Sequence, residues 1–116
     1  MSAEVHLSEY AVSDLASIGD YIEYQLSLPQ AANKTLTTII DAIQMLGEFP
    51  ESGVAITAMD DLVTPYRVFI CEKRYAISYV YDKSSQSVWV YRVFHTIQDW
   101  LAVLIKQGSD TKEEQE

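Results

Sequence analysis

The apolar positions begin at a period of two, change to a period of three to four, and return to two, and each change marks an element. Glu4-Val5-His6-Leu7 alternates as a short strand would. Ser8 can cap a helix whose apolar positions Ala11, Leu15, Ile18, Ile22 and Leu26 keep to one buried face, with Asp14, Asp20 and Glu23 falling mostly on the other side. Ser27-Leu28-Pro29 breaks the pattern with proline at a favoured first-turn position. A second helix comes next, with Ala32, Leu36, Ile39, Ile40, Ile43 and Leu46 inward, and stops at Glu48-Phe49-Pro50, because a residue before proline is pushed out of the helical region. The two make a helical hairpin. Residues 51–64, with Gly53, read as a loop.

From Tyr66 to His95, β-branched and aromatic residues fall into three runs near 65–72, 74–82 and 87–94, broken by polar turns, the second at Asp82 to Gln86. This is the pattern of an antiparallel meander. Strict alternation groups Tyr66, Val68 and Ile70 against Arg67, Phe69 and Cys71. It groups Tyr75, Ile77, Tyr79 and Tyr81 against Ala76, Ser78 and Val80, and Trp89, Tyr91, Val93 and His95 against Val88, Val90, Arg92 and Phe94. Each face carries apolar and polar groups, so alternation leaves open which one the helices cover. Thr96-Ile97-Gln98-Asp99 has the form of a capping box and opens a last helix through Trp100, Leu101, Leu104 and Ile105.

Length allows one domain: 116 residues can bury a modest core but not two. No run approaches the roughly 20 apolar residues of a membrane span. Met-Ser-Ala-Glu-Val-His lacks the basic and apolar regions of a signal peptide, which leads us to expect a cytoplasmic protein. The single cysteine, Cys71, lies mid-strand as a small hydrophobe would and allows no internal disulfide. His6 and His95 lie far apart, and no carboxylate pair sits at helical ligand spacing beside either, so no metal or other cofactor is expected. Asn33-Lys34-Thr35 matches a glycosylation acceptor, which matters only on a secretory route.

Charge changes the picture once it is divided along the chain. The net charge is −9. Residues 1–61 hold ten carboxylates against Lys34, whereas residues 62–107 hold six Lys or Arg against Glu72, Asp82 and Asp99. Arg67, Arg74 and Arg92 are the only arginines. The sheet is therefore mildly basic, which suits either a contact face or an outer face that simply solvates itself. Residues 108–116, with four carboxylates, one lysine and no apolar side chain, are expected to form a disordered acidic tail after a single domain at 1–107.

The order strand, helical hairpin, three-stranded meander comes with a set of local signatures. These are Asp14-Leu15-Ala16-Ser17-Ile18, Phe49-Pro50 with Gly53, Tyr66-Arg67, Tyr75-Ala76-Ile77-Ser78-Tyr79 and Tyr91-Arg92-Val93-Phe94-His95. Together they resemble the RelE/ParE family of bacterial type II toxins over roughly residues 4 to 105. The resemblance implies an α+β fold of order β-α-α-β-β-β-α, a helical hairpin packed on a small antiparallel sheet. It also implies a toxin neutralised by a cognate antitoxin, which contacts DNA only through a complex that represses its own promoter.

Two activities occur in that family. Ribosome-dependent mRNA cleavage needs an acid or base and cations on the phosphate. RelE-like members carry an arginine after the first tyrosine of the second meander strand, and a basic residue and a tyrosine after the last strand. Here those positions hold Ala76, Thr96 and Ala102. His95 remains a candidate acid or base, with Arg92 or Arg67 on the phosphate, although a histidine ending a strand also serves as plain structure. The ending Tyr91 to His95 is closer to ParE, for which the resemblance implies inhibition of DNA gyrase by binding, without chemistry. Target contacts would then come from Arg67, Arg92, His95 and Trp100, arginine and tryptophan being frequent interface anchors. Trp100 could instead pack the last helix, and Arg92 could pair with an acid such as Asp99. A loss of toxicity, leaving a binding or repressor component, is the remaining reading. Because the chain is acidic, an acidic antitoxin would fit it poorly, and docking by apolar contacts is expected.

Overall fold

The computed structural model describes residues 2–56 and 64–95. In order these form β1 (Glu4–Leu7), α1 (Glu9–Asp20), α2 (Pro29–Glu48), β2 (Val54–Ala55), β3 (Tyr66–Cys71), β4 (Tyr75–Asp82) and β5 (Ser87–His95). The expected last helix, Trp100 and the acidic tail lie outside the described residues.

The helices start and stop where local chemistry directs. Ser8 Oγ accepts from Ala11 N at 3.0 Å, satisfying one of the free donors at the start of α1, and donates to Tyr91 O at 2.7 Å. Pro29 occupies the first turn of α2. A π-helical turn, Tyr21–Gln25, extends α1. The extra residue in that turn rotates the chain beyond it, so Leu26, expected inward, is exposed. Ile40 is exposed as well, because the buried stripe of α2 is the narrower one through Ala32, Ile39, Ile43 and Leu46. The two helices approach closely at Gly19, where a Cβ would come within 2.9 Å of Leu36 Cδ1.

The strands form one sheet of order β1-β5-β4-β3-β2. The meander β3-β4-β5 is antiparallel, but β1 joins β5 in parallel, so the sheet is mixed. β2, inside the stretch read as a loop, pairs with β3 as an edge of two residues. At the turn between β4 and β5, Asp82 Oδ1 accepts from Ser84 N at 3.0 Å, the self-bonding that makes aspartate a turn former.

Helices cover the face bearing Cys71, Ile77, Tyr79, Val88, Val90 and Val93, which join Ile39, Ile43 and Leu46 in the core. Strict alternation would have set Val88 and Val90 opposite to Val93. Between β4 and β5, however, Ser78 faces Arg92 while Tyr79 faces Val90, so Tyr91 is one residue more on β5. This β-bulge flips the parity of the strand and turns both halves of its apolar set toward the helices.

Burial raises the titration ranges of the Tyr79 and Tyr75 phenols and the Cys71 thiol, although Arg67 and Arg74 pull the phenols back toward ionisation. Groups with raised values keep their protons longer in the folded state, so their contribution is complete below the unfolded values and is lost as pH rises. Stability should therefore hold steady near neutrality and decline above about pH 9. Urea unfolding at pH 7.5 and pH 10.5, followed with tyrosinate absorbance, checks this. Equal midpoints at the two values would contradict it.

Candidate functional site

β1 covers β5 only through Val90, so the strand from Tyr91 to His95 has no strand neighbour on that side among the described residues. α1 takes its place. Asp14 accepts from Val93 N at 2.9 Å, from Arg92 Nε at 2.8 Å and, through its second oxygen, from Arg92 Nη2 at 3.0 Å. One carboxylate thus caps a free strand donor and binds a guanidinium by its fork. Asp14 is 16% exposed and Arg92 35%. The bond to Asp14 holds Arg92 protonated beyond its already high range, while partial burial works against this. The Tyr10 ring lies 5.7 Å from the guanidinium carbon, within cation–π reach.

Arg67 lies two strands away, on β3, nearly level with Arg92. Its Nη1 donates to Gly53 O at 2.8 Å and Glu51 O at 3.3 Å. Tyr79 works beside it: the phenol donates to Pro50 O and accepts from Gly53 N, each at 2.8 Å. Together they clamp the segment between α2 and β2. Arg67 and Arg92 are thus held by different partners and do not converge on one site.

His95 meets Tyr75 edge to face, with ring centroids 5.5 Å apart, and its Nδ1 is buried without a hydrogen-bond partner among the described residues. It borders a cleft of about 750 Å³ between the helical hairpin and the open end of the sheet. Ile18, Ile22, Leu26, Leu28, Val93 and Phe94 make this cleft largely apolar, with Asp14, Arg74 and Tyr75 on its wall. A second recess, about 360 Å³, shares Ala31, Thr35, Arg74 and Tyr75 with it and adds Lys34, Thr38, Cys71 and Glu72. No described helix is long and apolar enough to cross a membrane. Among the described residues, no group of three or more His, Cys, Asp or Glu could hold a metal ion.

Asp14, Tyr79, Lys34 and Arg74 are not among the site residues expected from the sequence, although Asp14 and Tyr79 stand in its local signatures. Asp14 had a legible signal, because it stands three residues after Ala11 and four before Ile18, inside the buried stripe rather than on the solvent side assigned to it. Tyr79 had none beyond its strand position, since its partners Pro50 and Gly53 are brought to it only by folding.

The model of the ParE toxin of the type II toxin–antitoxin system, parDE, matches residues 5–100. A structure of the chromosomal ParDE toxin–antitoxin system from P. aeruginosa aligns with a TM-score of 0.66 at 17% identity, covering 81% of this chain and 96% of that one. The toxin–antitoxin complex RelBE2 from Mycobacterium tuberculosis aligns with a TM-score of 0.60 at 16% identity, covering 82% and 92%. No curated protein matches by sequence.

Proposed function

The chain belongs to the ParE toxin family of type II toxin–antitoxin systems, and from that premise we propose that it inhibits DNA gyrase by binding and is neutralised by a cognate antitoxin. The carrying observation is the state of Arg92. Its charge is already compensated by Asp14, so it has little left with which to stabilise the charge developing on a phosphate during cleavage. The same bond fixes its orientation. Arg92 keeps further N–H donors and a third of its surface exposed, which suits an interface anchor ordered before binding. In this reading Arg92 and His95, with Trp100, contact the target, and Arg67 acts from a distance by holding the loop after α2.

The competing reading, mRNA cleavage, draws on His95 and Tyr75, which share the cleft with the cation Arg74. Induction of the chain alone in a bacterial host, scored beside gyrase supercoiling and ribosome-dependent mRNA cleavage, separates the two. The expected result is growth arrest with supercoiling blocked and mRNA intact. Arg92→Ala should weaken gyrase inhibition at least tenfold in protein that is still folded at the assay temperature. Cleaved mRNA would move the activity to the His95 cleft, and unimpaired growth with folded protein would favour a non-toxic binding component.

A further inference from the structure

We infer that the open face of the sheet, centred on Trp89, Tyr66 and Tyr91, seats on the target enzyme, with the row of carboxylates beside it facing basic groups of that partner. This rests on the gyrase reading above and adds to it the place and the chemistry of the contact. The helices cover the other face. Register sets His6, Trp89, Val80 and Tyr66 side by side in one row across β1, β5, β4 and β3. Val80 points away from the core because its neighbours Tyr79 and Tyr81 point into it. Tyr91, the extra residue of the bulge, meets Tyr66 edge to face with ring centroids 5.7 Å apart, and so stands on this face too. Trp89 is 41% exposed, Tyr66 39% and Tyr91 37%. His6 stacks on Trp89 with centroids 4.2 Å apart and planes 18° from parallel, which orders the indole before anything binds. Stiff aromatic side chains beside an arginine are a frequent centre of protein contacts, since little freedom is lost on burying them, and Arg92 directly follows Tyr91.

Area and charge decide what covers the face. An aromatic side chain presents roughly 200 Å², so these exposures leave about 250 Å² for the three rings, well short of the about 800 Å² that each partner of a stable complex buries. Two copies held by this patch alone would come apart, whereas a larger partner also covers what surrounds it. Nucleic acid fits poorly, because Arg92 is already paired with Asp14 and the next row toward the β4–β5 turn is acidic. There Glu4, Ser87 and Asp82 stand side by side, about 7 Å from the aromatic row. Glu4 lies 3.4 Å from His6 Nε2, Asp82 accepts from Ser84, and the adjacent Lys83 is held by Glu51, so this rim is negative. An enzyme that handles DNA carries basic surfaces for the phosphates. An apolar centre with an acidic rim complements the border of such a surface. The net charge of −9, unsuited to binding nucleic acid, thereby suits recognition of a protein that does.

The test titrates the full chain into a DNA gyrase supercoiling assay beside Trp89→Gln, Tyr91→Gln, the pair Glu4→Gln/Asp82→Asn and the control Tyr24→Gln, exposed on the helical side. Each is first shown to be folded by circular dichroism and thermal melting. Trp89→Gln and Tyr91→Gln should each raise the concentration for half-inhibition at least tenfold. The neutralised pair should raise it about threefold at low salt, with the difference vanishing as salt is raised, and the control should leave it unchanged. Unchanged inhibition by both aromatic variants overturns the face and leaves the gyrase reading standing. A charge pair without effect at low salt overturns the acidic rim and its basic counterpart. Supercoiling untouched by the wild-type chain removes the gyrase reading and this one together. Inhibition that stays intact while the aromatic variants lose antitoxin binding, or lose a self-association seen by sedimentation, overturns the proposal by assigning the face to that other partner.

Discussion

Asp14→Ala is expected to lower stability by about 2 to 3 kcal/mol, a large share of what a domain of this size possesses. Three hydrogen bonds end on this carboxylate. Removing it strands the Val93 N–H on the strand edge, at about 1 to 2 kcal/mol, and leaves the Arg92 guanidinium half inside the protein without its counter-ion. Because Arg92 is 35% exposed, water recovers part of the second loss, and it is counted at about 1 kcal/mol rather than the larger value of a buried pair. Arg92→Ala alone should cost about 2 kcal/mol. The double variant should cost about 1 kcal/mol less than the sum of the two, since the pair is lost only once. Urea denaturation of the four proteins measures this. Strict additivity would mean that the contact contributes nothing as a pair.

Gly53→Ala should be of similar severity through a different cause. A Cβ there would lie 2.7 Å from Tyr79 Oη and 3.0 Å from Val68 O. Tyr79 is fully buried and cannot retreat, and the backbone of β3 cannot yield without breaking its pairing. Relief requires the loop to move off the phenol, which breaks the Tyr79 bonds to Gly53 N and Pro50 O and the Arg67 bond to Gly53 O. Overpacking and lost bonds together amount to about 3 kcal/mol, equivalent to about 12 to 24 °C in melting temperature for a domain near 100 residues. Tyr79→Phe should cost about 2 kcal/mol by leaving its loop partners unsatisfied. It also removes the obstructing oxygen, so adding Gly53→Ala to it should cost less than Gly53→Ala does in the parent. Melting curves for the set decide the matter, and an unchanged melting temperature for Gly53→Ala would show that the loop is not clamped.

Elements set by residues near one another in the chain are legible in the sequence. The helical hairpin, its Ser8 cap, its stop before Pro50 and the three meander strands all arise from patterns that span at most a few residues, because helical and strand periodicities and turn bonds are local. Leu26 escaped the pattern because a π-helical turn changes the angular count, and nothing in its neighbours announces that turn. The parallel addition of β1 escaped it because pairing partners separated by the whole helical hairpin leave no mark on either segment.

The candidate site divides along the same line. Sequence by itself determined which residue types could matter, Arg67, Arg92 and His95, and the order of elements that carries them. The tertiary structure alone decided what each is free to do. Arg92 meets a carboxylate 78 positions away, Arg67 is spent on a loop, and Lys34 from a helix joins Arg74 from a strand turn at one recess. The physical reason is that a charged group's role depends on the nearest opposite charge in space, and here that neighbour is set by a sheet register which one extra residue at Tyr91 shifts.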